Sequence, residues 1–369
     1  MKATSRGWSA AFTAIAEKMI SGPLDRIGIV MLTAIGDAVH VLPVVTALKR
    51  HSPNSHITWV LQPGPASLVQ GHPDIDEVVI FDKKRGLTAY TEVRHKLASR
   101  PFDVVLDLQV YLKAGIVTWL ARAPVKLGFD RTRARDLNSL FTTHAIPRHA
   151  QQHVQDQYFE FLDVLGVPHE PVRWNLGPFP SERARQREFF AGIERPVASL
   201  VIGTSNPHKD WLPERWADVS DALYEDHGLQ PVLAGGRSVS ELETERIIRS
   251  LTRHPPLSTL GVPLRELVGI LDGSELVISL DTGPLHMAVA LGKPVISLMG
   301  YNNPKRVGPY RRFHDLIVDA YGDPGEDYPV TPAHRLGRMK RIQVRHVLGK
   351  VALARRCYAG RGGAASTRS

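Results

Sequence analysis

Short apolar segments alternate with stretches that favour helix along both halves of this chain, and this alternation constrains its fold more than any other feature. In the first half the apolar segments are Ile27–Leu32, His56–Leu61, Val78–Phe81 and Val104–Leu108. Helices are predicted at Val44–His51, Leu87–Ser99 and Tyr111–Ala121, with Val154–Leu165 at the end of the series. Strands that alternate with helices in this way predict a parallel sheet covered on both faces.

The second half repeats the pattern. Its predicted strands are Val197–Ile202, Val232–Ala234, Leu276–Leu280 and Pro294–Met299. Between the two series, Pro168–Pro196 contains several prolines and the charged run Glu182–Glu188, which indicate a linker followed by a leading helix. The sequence therefore predicts an α/β protein with two Rossmann-like domains.

Composition narrows the class of protein. The chain has 369 residues, of which 43% are hydrophobic and 22% charged, enough for two globular domains. Its one cysteine excludes an internal disulfide framework and suits a reducing cytoplasm. None of its apolar stretches approaches the roughly 18 residues that a membrane span needs.

The N-terminal segment 1–24 is predicted to be an amphipathic extension. Trp8, Phe12, Ile15 and Met19 follow one another at spacings of four, three and four residues, which gives a helix one apolar stripe. Because the apolar part is short and is followed by Glu17 and Lys18, a packed or surface-lying helix fits better than a cleaved signal peptide.

The positive charge is concentrated at the C-terminus. The formal net charge is +9, yet the segment from Arg335 to Ser369 holds ten Lys or Arg and no acid, so the rest is close to neutral. We considered both a basic contact with an anionic membrane surface and a helix packed on the body with a solvated basic face. Nucleic acid is excluded as a partner because the tail lacks interleaved aromatics and the chain has no recognised DNA or RNA motif.

Two turns are candidates for chemistry. Asp281-Thr282-Gly283-Pro284 follows a buried strand and opens a helix, an arrangement that can offer backbone N–H groups to a phosphate. Near the start of the chain, Gly36-Asp37 leaves another strand and presents one carboxylate before a helix. An ordinary strand–turn–helix and a helix N-cap, respectively, are the alternatives that the local sequence leaves open.

The two turns together, Gly36-Asp37…His40…Pro43 and Asp281-Thr282-Gly283…His286, resemble glycosyltransferase family 9, the bacterial ADP-heptose:lipopolysaccharide heptosyltransferases. The segment Gly203–Trp216 is similar to the family's Lys-x-Trp-Pro element, with Leu212 inserted before the proline, and Gly300–Tyr310 is similar to a later family loop. The resemblance extends from about Arg26 to about Leu353. Thr33-Ala34 and Tyr301-Asn302-Asn303 depart from the family's usual residues.

The resemblance implies the GT-B architecture, in which two Rossmann-like domains face each other across a cleft. It places an acceptor-side domain at 25–178, a nucleotide-sugar-binding domain at 179–339, a helix that crosses back to the first domain at 340–357, and a flexible basic tail at 358–369. The activity implied is an inverting, metal-independent transfer of heptose from ADP-heptose to the inner core of lipopolysaccharide, without a cofactor, by a cytoplasmic enzyme peripheral to the inner membrane. Transfer from another nucleotide sugar or to another acceptor, and a non-catalytic nucleotide-sugar-binding scaffold, are the alternatives.

By the same resemblance, Asp37 is the catalytic base and Lys209 pairs with the donor diphosphate. The other residues expected to bind the nucleotide sugar are Thr204, Glu241, Asp281, Thr282, Gly283 and His286. Glu241 would hold the ribose, whereas Asp281 would shape the turn or bind sugar hydroxyls, since its charge would repel a phosphate.

The acceptor implied by the resemblance is an anionic glycolipid, so cationic side chains are expected to bind it in the first half of the chain. Two basic clusters are candidates, with solvated loops as the alternative: Lys83, Lys84 and Arg85, then Arg131, Arg133 and Arg135 beside Lys126. No metal site is expected, because Asp74 and Asp76 open a strand and Pro147 separates His144 from His149. A dinucleotide site is excluded, since no Gly-x-Gly-x-x-Gly follows a strand.

Overall fold

The computed structural model describes residues 24–98 and 100–358. The predicted N-terminal helix and residues 359–369 of the basic tail lie outside that part of the chain. Two compact units divide it: the first ends at Asn175 and the second begins at Leu176, except that Gln151–His153 also belong to the second. We describe each unit by itself.

The first unit is built on six parallel strands. They are β1 (Arg26–Val30), β2 (His56–Leu61), β3 (Glu77–Ile80), β4 (Val104–Asp107), β5 (Val125–Gly128) and β6 (His144–Ala145). Their order across the sheet is β3-β2-β1-β4-β5-β6, with Ile27 of β1 opposite both Ile57 and Val104. The sequence predicted β1 to β4; it missed β5 and β6, which are short.

Helices cover both faces of this sheet, and the connections follow the chain. They are α1 (Ile35–His51), α2 (Pro63–Val69), α3 (Leu87–Ala98), α4 (Leu112–Leu120) and α5 (Val154–Val164). Helix α1 is buried from Ala38 to Leu48 and packs against α5. On the opposite face, α3 and α4 contribute Val93, Leu97, Ala114 and Val117 to a core that also contains strand residues.

The second unit repeats the same plan. Its strands are β7 (Val197–Val201), β8 (Gln230–Ala234), β9 (Leu257–Ser258), β10 (Leu276–Leu280), β11 (Val295–Met299) and β12 (Ile317–Asp319). Its helices are α6 (Arg183–Phe190), α7 (Pro213–Glu225), α8 (Val239–Leu251), α9 (Leu264–Gly273), α10 (Gly283–Ala290), α11 (Pro304–Val307) and α12 (Val344–Tyr358). All strand pairs are parallel and the order is β12-β11-β10-β7-β8-β9.

Both sheets therefore have the Rossmann strand order, in which the direction of connection reverses between the first and the fourth strand. That switch point lies between β1 and β4 in the first unit and between β7 and β10 in the second. Ligands of open α/β sheets bind beyond the carboxyl ends of the strands at this point. The predicted α/β fold of two Rossmann-like domains is confirmed.

Helix α12 belongs to the second unit, where Val347, Val351 and Ala354 are buried and where it packs against α7, β11 and β12. The expectation that it crosses back to the first unit stays a prediction. Several cations of the acid-free segment are ion-paired within this unit, because Arg335 contacts Glu326 while Arg338 and Arg341 both contact Asp323. No helix in the described ranges is both long and apolar enough to cross a membrane.

Candidate active site

Asp37 lies at the switch point of the first unit, in the first turn of α1. One of its carboxylate oxygens accepts a hydrogen bond from the backbone N–H of Ala34 at 2.9 Å. The other accepts one from the phenolic hydroxyl of Tyr158 in α5, at 3.1 Å. Asp37 is therefore not the N-cap that the local sequence left open, since Ala34 occupies that position. Both carboxylate oxygens are therefore oriented by these hydrogen bonds.

A second contact between the same helices lies one turn further along. The imidazole Nδ1 of His40 donates to the side-chain oxygen of Gln155 at 3.2 Å, and the amide of Gln155 donates to the carbonyl of His40 at 2.7 Å. Because Asp37 and His40 are three residues apart, as are Gln155 and Tyr158, the two contacts form successive rungs between α1 and α5. The direction of Asp37 is thus fixed by helix packing as well as by its turn.

Gln109, just after β4, fixes the loop that precedes Asp37. Its side-chain oxygen accepts from the backbone N–H of Leu32 at 3.0 Å, and its amide donates to the carbonyl of Thr33 at 2.6 Å. Asp107, two residues earlier, is fully buried and accepts from the side chain of Asn138 at 2.9 Å. Burial raises the pKa of Asp107 to about 7, although hydrogen bonds from Asn138 and the backbone of Gln109 oppose the shift.

Lys209 and Asp281, 72 residues apart in sequence, meet at the switch point of the second unit. The ammonium of Lys209 lies 2.9 Å from the Asp281 carboxylate and donates to the Asp281 carbonyl at 3.3 Å. The amide of Asn302 donates to the same carboxylate at 2.6 Å. Asp281 therefore positions the lysine at the entry to α10, beside Thr282 and Gly283; its expected part in shaping the turn for a ligand stays a prediction.

His286 lies one turn into α10 and is almost fully buried. Burial, together with the charges of the nearby His153 and Lys209, lowers its pKa to about 3. At physiological pH the imidazole is therefore neutral. It can contact a ligand by hydrogen bonding or packing, and it contributes no positive charge to a phosphate site.

The side chain of Glu241 packs against the glycine-containing turns after β7 and β8. Its carboxylate accepts from the backbone N–H of Gly236 at 2.7 Å and of Ser238 at 3.0 Å, and also from the Ser238 hydroxyl. A Cβ on Gly203 would come within 2.2 Å of the Glu241 side chain. These contacts give Glu241 a role in shaping the loops; the expected ribose contact stays a prediction.

Thr204 and Asp210 brace the turn that carries Lys209. The backbone N–H and the hydroxyl of Thr204 lie 3.1 and 2.9 Å from one Asp210 oxygen. Burial raises the pKa of Asp210, although these hydrogen bonds lower it and nearby Glu241 adds to the rise. The hydroxyl of Thr204 is therefore engaged within the loop, so its expected ligand contact also stays a prediction.

The sequence model of glycosyltransferase family 9 (heptosyltransferase) matches residues 90–323. The chain belongs to glycosyltransferase family 9. It is 29% identical over 333 residues to the lipopolysaccharide core heptosyltransferase OpsX of Haemophilus influenzae, an alignment that covers 88% of this chain and 95% of that protein. The family places the protein among the glycosyltransferases, so it is an enzyme.

Solved structures support the GT-B fold. A family 9 glycosyltransferase from Veillonella parvula matches with a TM-score of 0.77 at 23% identity, covering 90% of this chain and 97% of that one. The Escherichia coli heptosyltransferase WaaC with ADP matches with a TM-score of 0.70 at 23% identity, covering 89% and 99%. At these identities the two matches support the fold of this family 9 enzyme alone.

The predicted acceptor cations of the family 9 chain fall into two kinds. Lys83, Lys84 and Arg85 form an exposed 3₁₀ turn after β3, in which Arg85 pairs with Glu92. Arg131 and Arg135 are also exposed. These five stay candidates for contact with an anionic acceptor.

Arg133 differs from its neighbours, and the structure gives it another role. Its side chain is 8% exposed, forms ion pairs with Asp130 and Glu160, and lies over the ring of Phe129. Hydrogen bonds from Thr132 and Arg133 overcome the burial of Asp130 and lower the pKa of that carboxyl. Arg133 therefore joins the loop after β5 to α5, because Asp130 lies in that loop and Glu160 lies in α5; its expected contact with the acceptor stays a prediction. Lys126 likewise donates to the carbonyl of Trp119.

The carboxylates that could suggest a metal site have structural partners. Asp76 pairs with Lys49 at 2.9 Å and accepts from the backbone N–H of Ile57, whereas Asp74 accepts from Asn175. Burial opposes ionisation of Asp76, but its hydrogen bonds and the charge of Lys49 lower its pKa. These contacts account for both side chains within the first unit.

Two residues of these sites were missed from the sequence: Gln109 and Tyr158. Gln109 could have been found had the strand order been known, because it follows β4 at the switch point. Tyr158 gave no comparable signal, since its contact depends on how α5 packs on α1.

Proposed function

We propose that this family 9 glycosyltransferase moves a heptose from ADP-heptose to the inner core of lipopolysaccharide, with inversion and without a metal. The observation that carries the proposal is the Lys209–Asp281 pair at the switch point of the second unit, with the turn Thr282–Gly283 beside it. The relatives suggest the sugar and the acceptor: OpsX is a lipopolysaccharide core heptosyltransferase, and the WaaC structure contains ADP.

The reaction is a single displacement. An acceptor hydroxyl attacks the anomeric carbon, its oxygen bonds to that carbon, and the bond from the carbon to the diphosphate oxygen breaks on the opposite side. Asp37 takes the hydroxyl proton as general base. Its carboxylate suits this role because Tyr158 and the Ala34 N–H orient it.

The departing ADP gains negative charge as the bond breaks, and a preorganised cation stabilises it. An ammonium has three donors, of which two point to Asp281. Backbone N–H groups at the start of α10 and the helix dipole add to this field. His286 supplies no charge, since its pKa of about 3 keeps it neutral.

The acceptor is proposed to be an anionic glycolipid, held through Lys83, Lys84, Arg85, Arg131 and Arg135. A lipid-anchored acceptor implies that the enzyme works at an anionic membrane surface, peripheral to the inner membrane on its cytoplasmic side. No cofactor enters this scheme.

A thermal-shift series with ADP, UDP, GDP and CDP tests the donor assignment. A ligand at about 100 times its dissociation constant should stabilise the protein by about 2.7 kcal/mol. We expect ADP to give the largest shift and Lys209→Ala to reduce it, whereas Lys340→Ala, an exposed lysine of the same unit, should not. A larger shift with another nucleotide would indicate another donor.

Transfer itself requires a second measurement. Release of ADP from ADP-heptose in the presence of lipopolysaccharide core acceptor, unchanged by EDTA, would support the full proposal. Nucleotide binding without release of ADP would indicate the binding scaffold instead, and dependence of the rate on added magnesium would contradict the metal-independent mechanism.

A further inference from the structure

The outer surface of α3, α4 and the 3₁₀ turn Asn138–Leu140 combines exposed apolar side chains with cations. We call it the α3–α4 face. Within the described part of the first unit, all the large hydrophobic side chains that are exposed lie here: Leu87, Tyr111, Leu112, Trp119, Leu137 and Leu140. Singly exposed leucines are ordinary on a protein surface, but several on elements that pack against one another, as α3, α4 and this turn do, indicate an interaction site.

Helix α4 buries one face against the sheet core but also exposes large apolar side chains. Its buried positions include the small residues Ala114, Gly115 and Thr118, whereas Leu112 and Trp119 are exposed and Ile116 is half-buried. Leu112, Ile116 and Trp119 are spaced by four and three residues, so they form one stripe along the helix. The stripe faces away from the sheet core that the opposite side of α4 contributes to.

The 3₁₀ turn extends this apolar surface. It packs on α4 closely enough that a Cβ on Gly115 would come within 2.7 Å of Phe141 and 3.2 Å of Asn138. Leu137 and Leu140 flank that contact and are 68% and 72% exposed. Leu137 has a φ of 65°, a left-handed conformation that is unfavourable for a leucine, so the backbone is strained where it presents this side chain.

Charge distinguishes the same region from the rest of the unit. Between Asp82 and Leu140 there are twelve Lys or Arg and six Asp or Glu. The remaining residues of 24–175 have five Lys or Arg and nine Asp or Glu. Within the basic region Arg133 pairs with Asp130 and Arg85 pairs with Glu92, so each pair removes one cation and one acid, while Arg100 pairs with Glu77 outside it. The region that contains the face therefore keeps an excess of positive charge.

We infer that the α3–α4 face docks on an anionic lipid surface. Tyr and Trp favour the membrane–water interface, and surrounding Lys and Arg are attracted to anionic headgroups. The inference deepens the proposed function, because it names the surface by which the enzyme would reach a lipid-anchored acceptor. It also moves the membrane contact away from the basic segment after Arg335, where several cations are ion-paired within the second unit.

Sedimentation with vesicles tests this without donor or acceptor, so its outcome is independent of the glycosyl-transfer assay. Full-length protein should bind vesicles of phosphatidylglycerol and phosphatidylethanolamine and should bind phosphatidylcholine vesicles much less. The double variant Trp119→Gln with Leu140→Gln should bind these vesicles at least about tenfold more weakly, since burial of each side chain in the membrane interface contributes to binding. Raised salt should weaken wild-type binding, and Lys113→Gln with Arg122→Gln should reduce that salt dependence.

The matched control is Leu251→Gln with Leu336→Gln, two exposed leucines of the second unit. This control should bind vesicles as the wild type does. The control and the Trp119/Leu140 variant should both keep the wild-type thermal midpoint and activity on a delipidated acceptor. Undiminished vesicle binding by the Trp119/Leu140 variant would overturn the inference. Loss of binding in a chain truncated after Tyr358 would also overturn it, because that result would assign the contact to the tail. Self-association through this face without binding to vesicles would overturn it as well.

Discussion

At the scale of single residues, the proposed chemistry depends on Asp37 and on the groups that orient it. Asp37→Asn keeps the shape of the side chain but removes its ability to accept a proton. We expect turnover to fall by roughly 10²–10⁴-fold with ADP binding nearly unchanged. Steady-state rates with the natural acceptor, combined with ADP titration, measure both; a variant with near-normal turnover would exclude Asp37 as the base.

Tyr158 is expected to act through Asp37 as a positioning residue. Tyr158→Phe removes the hydroxyl that donates to the Asp37 carboxylate, a hydrogen bond that favours the ionised form. The acid limb of the kcat/KM profile should therefore move to higher pH, with ADP affinity unchanged. Tyr90→Phe, in the same unit, is the control, and an identical pH profile for both variants would leave Tyr158 with a purely structural role.

At the scale of elements, the turn after β7 is expected to tolerate no side chain at Gly203. In Gly203→Ala the new Cβ would come within 2.2 Å of Glu241, which organises the turn after β8. Overpacking of this kind costs about 1–3 kcal/mol, so we expect a lower thermal midpoint together with weaker ADP binding. Gly192→Ala meets no atom within 4 Å and should change neither; equal behaviour of the two variants would show that the Glu241 contact is dispensable.

The sequence predicted these elements unevenly, for physical reasons. Strands β1, β2 and β4 and the main strands of the second unit are mostly apolar runs, because both of their faces are buried, and the partly buried β3 has the apolar run Val78–Ile80. Strands β6, β9 and β12 have two or three residues, too few to show a pattern, and β5 is interrupted by Lys126 and Gly128. The Asp281 turn and Asp37 carried local signals, whereas Gln109 depends on the order of strands in the sheet, which local sequence does not contain.

For the whole molecule, the buried Asp107 makes stability depend on pH. Its pKa is about 7 in the folded protein against 3.8 in the unfolded chain. Between these values the folded state keeps a proton that the unfolded state has lost, so stability is greatest at low pH and falls as pH rises towards 7. The slope contributed by one such group is at most about 1.4 kcal/mol per pH unit.

Asp107→Asn removes this titration while it keeps a side chain that can accept from Asn138. The wild-type carboxyl titrates over about pH 4 to 7, and measurements at pH 5 and pH 8 span most of that range. The denaturant midpoints at these two pH values should therefore differ less for the variant than for the wild type. Asp25→Asn, at an exposed residue in the same unit, controls for the change of charge. Parallel pH dependence in wild type and Asp107→Asn would contradict a raised pKa at this site.

The assignment of Gln151–His153 to the second unit has a practical consequence for dissecting the enzyme. His153 lies 2.9 Å from the carbonyl of Gly308, its ring is 4.9 Å from that of Tyr310, and its charge helps to keep His286 neutral. A recombinant fragment that starts at Leu176 would lack this histidine, although it would contain every strand of its sheet. Half-proteins cut at the apparent linker would thus report a nucleotide affinity that differs from that of the intact chain, and adding residues 151–153 through a fused peptide should restore it.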